Sequence, residues 1–134
     1  MSLDAGPRLQ AVLAELRRVP DILGATIARR DGILIASALA KSMDPRKIAA
    51  MAAAIVGTSE MAATEMGLGV FNQSIVDTHI GKLLATGAGE EAILITMVRN
   101  DANMGLVLLS VDRAVQTIAQ LLDGDELLQT EAQT

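Results

Sequence analysis

The sequence predicts an α+β fold in which a single antiparallel sheet of about five strands lies between a long central helix and two terminal helices. Three observations predict it: helical periodicity across 44–68, short β-rich runs on both sides of that segment, and helical periodicity near both chain ends. The element order is therefore helix, two strands, helix, three strands, helix. The 134 residues fit one domain, 1–134, with a core at about 7–122 and a polar C-terminal tail, 123–134, that we expect to fray.

The N-terminal third contains one helix and one hairpin. Leucine and valine recur at helical spacing across 7–19, and Pro7 suits a first helical turn. Two β-rich runs, 24–30 and 33–37, then surround Asp31 and Gly32. An Asp-Gly pair between two such runs predicts a tight hairpin.

The long central helix has clear signals at both ends. Asp44 is placed to cap its N-terminus, and Pro45 fits the first turn. Gly67 and Gly69 end the pattern, because glycine readily adopts the left-handed conformation that closes many helices. We therefore expect one helix across 44–68.

This helix is apolar on two opposite faces. The predicted core-facing stripe contains Ile48, Ala52, Ile55, Ala62 and Met66, with Met51 and Val56 beside it. The opposite stripe contains Ala50, Ala53, Ala54, Gly57 and Met61. One fold can cover only one stripe, so the second predicts packing against another subunit or a separate protein. A fully buried central helix, or alanine chosen for helix propensity alone, is the alternative.

The C-terminal half predicts three strands and a helix. The strands lie at 73–78, 82–86 and 92–99, and the last is nearly continuously apolar, which is typical of a central strand covered on both faces. Residues 74–79 mix apolar and polar side chains, as an edge strand does. The segment 101–122 is ambiguous at 106–109, where four apolar residues resemble a strand, but the longer window favours a helix.

Composition excludes several classes of function. The net charge of −5 and the pI of about 4.7 argue against nucleic acid as a partner. The chain has no cysteine and one histidine, so we predict no metal and no cofactor. No uninterrupted apolar run of roughly 18 residues occurs, which argues against direct membrane insertion. Without a recognisable secretory signal, a cytoplasmic location is the expectation.

An enzymatic role has weak support in the sequence. Asp77 and His79 lie two apart on a predicted strand and would face the same side, which could form half of an acid–base site, although an ordinary strand-surface pair is the favoured interpretation. The third partner of a nucleophilic site is missing. The Gly-x-Gly matches at 67–69 and 87–89 do not form a phosphate-binding motif, and we interpret them as a helix end and a turn. We predict a protein that is not an enzyme.

The element order and several short motifs resemble those of the Roadblock family of dynein light chain-like proteins, which have a profilin-like architecture. The motifs are Gly24-Ala25-Thr26-Ile27, the turn Arg30-Asp31-Gly32, Ile33-Leu34-Ile35-Ala36-Ser37, the alanine-rich helix, and Asp101-Ala102-Asn103-Met104-Gly105-Leu106. They are structural motifs, so they support fold and assembly more than any reaction.

The resemblance implies a homodimer that regulates or tethers a Ras-like small GTPase. Family members pair their long helices and join their sheets edge to edge, which would make Ala50, Ala53, Ala54, Gly57 and Met61 the dimer interface. If GTP hydrolysis is stimulated, Arg29, Arg30, Arg46 or Arg99 could supply an arginine finger, although positioning the switch residues of the GTPase needs none. Two alternatives remain open: a nucleotide-independent scaffold for a motor or signalling complex, and a small-ligand sensor with a pocket lined by Met and Ile.

Overall fold

The computed structural model describes the backbone of residues 5–133 and the side chains within residues 5–124; residues 1–4 and 134 of the predicted domain lie outside this part. Three helices and five strands occur in the described chain. In order they are α1 (Ala5–Arg17), β1 (Ile22–Arg29), β2 (Leu34–Ala38), α2 (Pro45–Glu65), β3 (Gln73–Asp77), β4 (Gly81–Ala88), β5 (Ala92–Arg99) and α3 (Met104–Gln133). The predicted fold class and element order are confirmed.

The five strands form one antiparallel sheet in the order β2-β1-β5-β4-β3. The apolar strand β5 lies at the centre, and its residues from Ala92 to Thr96 are all buried. Strand β3 lies at one edge, as its mixed composition predicted. The sheet therefore has two open edges, β2 and β3.

Helices cover both faces of the sheet and divide the core in two. Helices α1 and α3 pack on one face, where the α1–α3 core includes Leu9, Leu13, Leu84, Leu94 and Ile118. Helix α2 crosses the other face and contacts all five strands. The α2 core beneath it contains Ala28, Ala49, Ala52, Val56, Ala85, Ile93 and Ile95.

Both ends of α2 follow the sequence signals. The Asp44 Oδ1 atom accepts a hydrogen bond from Arg46 N at 3.0 Å, which satisfies a main-chain donor that the helix itself leaves free. At the other end Gly67 has φ +66°, and Leu68 N donates to Ala63 O at 2.8 Å. This left-handed glycine closure ends the helix at the residues where the sequence predicted it.

The β1–β2 turn is longer than the tight hairpin expected. Four residues, 30–33, connect the strands, and Gly32 has φ +93°. The Asp31 Oδ1 atom accepts a hydrogen bond from Ile33 N at 3.3 Å and so holds the turn locally.

Helix α3 resolves the ambiguity at 106–109 in favour of a helix, and it continues through most of the segment 123–134 that we expected to fray. By length and apolar composition alone, Met104–Gly124 could also cross a membrane. Asp112 and Arg113 interrupt that stretch, and its buried side chains, including Val107, Val111 and Ile118, belong to the α1–α3 core. This packing accounts for the apolar content of one face of the helix.

Candidate functional site: the exposed apolar surface of α2 and β3

Helix α2 buries a narrower face than its periodicity predicted. Its fully buried residues are Ala49, Ala52 and Val56. The prediction is right for Ala52 and Val56, and Ile48 and Ile55 are half-buried against the α2 core. It is wrong for Met51, Ala62 and Met66, which are exposed. Beyond Val56 no residue of α2 is fully buried, so the last two and a half turns lack complete cover from their own subunit.

The predicted second stripe points mainly to solvent. Ala50, Ala54, Gly57 and Met61 are exposed, and the Met61 side chain is 73% accessible. A Cβ atom added to Gly57 would meet no other atom within 4 Å. Ala53 differs, because it is half-buried and packs against the α2 core.

Contacts on either side of α2 fix its orientation on the sheet. On one side it faces the β1–β2 turn, where a Cβ on Gly32 would lie 3.4 Å from Ala50 Cα and 3.6 Å from Ala53 Cβ. On the same side Glu60 accepts a 2.6 Å charged hydrogen bond from Arg30. Helical spacing then places a second strip on the far side of α2, formed by the apolar Met51, Ile55 and Ala62 together with Thr58.

Strand β3 extends this surface to the edge of the sheet. The Ser59 and Ser74 hydroxyl oxygens lie 2.7 Å apart, so Ser74 faces α2. Because side chains alternate along a strand, Val76 also faces α2, whereas Ile75 faces the side of α3. Both remain exposed, Ile75 by 46% and Val76 by 41%.

The loop between α2 and β3 adds apolar side chains that the sequence analysis did not assign. Leu68 is 74% exposed and Val70 is 93% exposed. Two large aliphatic residues, each directly after a glycine and close to the end of an amphipathic helix, were the available signal. We call the exposed apolar residues of α2, this loop and the α2 side of β3 the α2–β3 surface: Ala50, Met51, Ala54, Gly57, Met61, Ala62, Met66, Leu68 and Val76.

The Asp77–His79 pair does not form the arrangement expected. Asp77 is the last residue of β3, and its carboxylate lies 3.2 Å from Lys82 Nζ. His79 lies after the strand, in the β3–β4 turn, where its main-chain oxygen accepts a hydrogen bond from Asn100 Nδ2 at 2.6 Å. The expectation of one shared strand face was wrong because the strand ends two residues earlier.

Three of the four candidate arginines are engaged within the subunit. Arg29 pairs with Asp31 at 2.7 Å, and Arg99 pairs with Asp101 at 3.3 Å. Arg30 bonds Glu60 and also donates to Gly89 O at 3.1 Å. Arg46 is exposed in the first turn of α2.

A cavity of about 440 Å³ lies between α3 and the ends of β3 and β4. Its lining includes Phe71, Leu108, Val111 and Val115 together with the polar Arg30, Asn72, Gln73, Thr86 and Asp112. This lining differs from the Met and Ile lining proposed for a ligand sensor, because it is built from valines, leucine, the phenylalanine and polar groups. Within the described side chains, no cluster of three potential metal ligands occurs.

Comparison with known proteins decides the family. The model of the Roadblock/LC7 domain matches residues 8–98, from α1 to the end of β5. An uncharacterised protein of Methanocaldococcus jannaschii is 36% identical over 110 residues, which cover 82% of this chain and 96% of that protein. The chain belongs to the Roadblock/LC7 family. The resemblance carried by the turn and strand motifs is thereby confirmed.

Solved structures show the same Roadblock/LC7 fold. Myxococcus xanthus MglB superposes with a TM-score of 0.85 at 21% identity, covering 92% of this chain and 94% of the other. The gliding protein MglB of Thermus thermophilus gives a TM-score of 0.81 at 22% identity, covering 92% and 95%. An MglB described as having a tetrameric arrangement also gives 0.81 at 22% identity, covering 92% and 94%. At these identities the likeness concerns the fold.

Proposed function

We propose that this Roadblock/LC7 protein is a homodimeric regulator or scaffold of a Ras-like small GTPase, and that it has no enzymatic activity of its own. The observation that carries the proposal is the α2–β3 surface. Exposed apolar side chains occur on a helix, on the loop that follows it and on a sheet edge of a chain with a net charge of −5. A concentration of exposed apolar side chains of this kind is typical of a protein–protein interface.

A second copy of the chain fits the surface because the small side chains of α2 permit close approach. Ala50, Ala54 and Gly57 present no long side chain, and Met61 and Met66 can adapt to a partner. We retain these α2 residues in the proposed dimer interface, with Ala53 at its margin because it is half-buried in its own subunit. A two-fold axis would bring the same patch of both copies together.

A small GTPase is the proposed further partner because of family membership. Three of the candidate arginines, Arg29, Arg30 and Arg99, already pair with carboxylates of their own subunit. We propose that regulation acts by positioning the GTPase's own switch segments, which needs no inserted arginine; the exposed Arg46 is the one candidate outside these pairs. A cytoplasmic location is part of this proposal.

The test is binding of the purified protein to Ras-like GTPases from its own organism, each loaded with GDP or a nonhydrolysable GTP analogue, with the mass of each species measured. Preference for one nucleotide state supports regulation. Equal binding favours a nucleotide-independent scaffold. No binding to any candidate rejects the GTPase partner, and a monomeric mass at every concentration rejects the homodimer.

A further inference from the structure

The cavity between α3 and the ends of β3 and β4, which we call the α3–β4 cavity, is more than an apolar crevice. Leu108, Val111 and Val115 of α3 give it an aliphatic wall, whereas its polar side chains come from four separate segments of the chain. Its volume of about 440 Å³ lies within the range of about 300–1,000 Å³ for small-molecule sites. Apolar lining with a few convergent polar groups is the usual form of such a site.

Thr86 brings an unsatisfied hydroxyl to this cavity. Its Oγ1 atom is covered from solvent and has no hydrogen-bond partner among the described residues. The hydroxyls of Thr26 and Thr96 are also unpaired there, but both residues are fully buried and neither belongs to the cavity lining. A rotation about the Cα–Cβ bond moves the Thr86 hydroxyl between staggered positions, so a molecule in the cavity can supply the missing partner.

Arg30 supplies the positive charge of the lining. Its guanidinium is held by the hydrogen bonds to Glu60 and Gly89 O, which use two of its five N–H groups. A Cβ atom on Gly87 would lie 3.0 Å from Arg30 Nη2, so the glycine leaves room for the guanidinium. A carboxylate is the partner that the other N–H groups bind most strongly.

Asp112 supplies the negative charge from α3. Its Oδ2 atom accepts a hydrogen bond from Gln116 Nε2 at 3.2 Å, one helical turn further along. The side chain is exposed and has acceptor positions left for an ammonium group. Arg30 and Asp112 are the two charged residues of the lining, so its formal charge is zero. A molecule with one charge of each sign therefore matches it better than an anion or a cation alone.

We propose that the α3–β4 cavity binds a small zwitterion with an aliphatic side chain, either a free amino acid or a dipeptide of such residues. Arg30 binds the carboxylate and Asp112 binds the ammonium group. The Thr86 hydroxyl gains a hydrogen-bond partner, and the valines of α3 cover the aliphatic side chain. This site needs neither the proposed homodimer nor the proposed GTPase partner.

The site is separate from the α2–β3 surface but adjoins its support. No residue of the α2–β3 surface lines the cavity, so a protein partner and a small ligand can bind at the same time. Phe71 lines the cavity and also packs against the α2 core. A bound ligand therefore contacts a residue on which α2 rests.

Titration of isotope-labelled, full-length protein, followed by amide chemical shifts, tests both the ligand and its position. The probes are leucine and the dipeptide valyl-leucine, each added up to about 10 mM, where a ligand with a Kd of about 1 mM is mostly bound. We expect saturable shifts at Thr86, Val111 and Val115, and the tighter probe identifies the free amino acid or the dipeptide. No saturable shift with either probe, or shifts confined to residues outside the lining, would overturn the proposal.

Two relatives of the tighter probe test the need for both charges. Its deamino form lacks the ammonium group, and its carboxamide lacks the carboxylate charge, while both keep nearly the same size. We expect each to bind at least about tenfold more weakly, because one charge of the lining loses its partner. Equal binding of either form would overturn the zwitterionic class.

Thr86→Val separates a role in binding from a role in folding. Removing an unsatisfied buried hydroxyl should raise the melting temperature of the free protein, and binding should weaken by about two- to tenfold. Thr96→Val is the matched control: it should also raise the melting temperature but leave binding unchanged. Unchanged binding in Thr86→Val, or an equal loss in both variants, would contradict the assignment of Thr86.

Asp112→Asn should weaken binding at least about tenfold. Asp101→Asn is its control, because Asp101 pairs with Arg99 outside the cavity. Unchanged affinity in Asp112→Asn would remove the ammonium site and with it the proposal. These titrations contain no GTPase, so their failure leaves the proposed regulatory function standing, and failure of GTPase binding leaves the cavity site standing.

Discussion

Arg30 and Glu60, separated by 30 positions in the chain, join the β1–β2 turn to α2 through a 2.6 Å ion pair. The same guanidinium donates to Gly89 O in the β4–β5 turn at 3.1 Å. Arg30 therefore connects two hairpin turns and the helix at one end of the sheet. Both side chains are partly solvent-accessible, at 32% and 44%, so water screens their attraction.

Replacing either member of this pair should destabilise the fold modestly. For Arg30→Met or Glu60→Gln we expect a loss of about 0.5–1 kcal/mol in the free energy of unfolding, because a partly exposed ion pair contributes little. Urea denaturation of both single variants and the double variant gives the coupling energy. A coupling that does not decrease in high salt would contradict the electrostatic explanation.

Gly57→Arg should separate the dimer without unfolding the subunit. Position 57 is exposed and a Cβ atom added there has no neighbour within 4 Å, so the monomer can accept a longer side chain that extends into solvent. Arginine also favours the helix over glycine by up to about 1 kcal/mol. Sedimentation and circular dichroism should show a folded monomer. Ala14→Arg, at an exposed position on α1, is the matched control and should remain dimeric.

Gly89→Ala should be strongly destabilising for two reasons. Gly89 has φ +78°, and an added Cβ would clash with the Asp123 carboxylate, which accepts a hydrogen bond from Glu90 N at 3.1 Å. The left-handed conformation alone costs a residue with a side chain about 1–2 kcal/mol. Gly6→Ala, where nothing lies within 4 Å, is the control and should lose no stability in thermal unfolding. Equal melting temperatures would show that the β4–β5 turn rearranges freely.

Asp44→Ala should destabilise α2 through loss of its N-cap. The expected cost is about 0.5–2 kcal/mol, since Arg46 N would lose its acceptor. Asp44→Asn retains a capping oxygen and should unfold close to the natural protein. If both variants lose the same stability in urea, the negative charge rather than the cap is the important feature.

Arg46→Ala and Arg99→Ala should each leave any stimulation of GTP hydrolysis largely intact. The proposed regulator positions the GTPase rather than contributing an arginine to the transition state, whereas an arginine finger is worth about 10³–10⁵ in rate. Single-turnover hydrolysis by the partner GTPase measures the effect. A loss of that size in one variant would assign that arginine a direct role.

The sequence predicted the element order because each element has a local signal. Asp44, Gly67 and the Asp31-Gly32 pair act within a few residues, and the apolar period of 101–122 outweighed its short strand-like run. Burial along α2 was harder to predict. Periodicity identifies apolar faces, but the cover over Met51 and Met66 depends on where the sheet ends beneath the helix.

Contacts between distant segments had no local signal. The bonds from Arg30 to Glu60 and from Ser59 to Ser74 form only after the sheet has brought the β1–β2 turn and β3 to α2. The direction in which the β3 main chain points likewise depends on its register with β4. The position of β3 at an edge of the sheet could be predicted from its composition. Which of its main-chain groups bond to β4 could be learned only from the structure.

Phe71 is the only aromatic residue in the chain apart from the single histidine, and it packs against the α2 core just before β3 begins. The protein consequently has almost no near-ultraviolet absorption or intrinsic fluorescence. A Phe71→Trp variant would carry a single fluorophore beside the edge strand, against an otherwise dark background. Its emission could then follow subunit exchange and partner binding in real time without any attached dye.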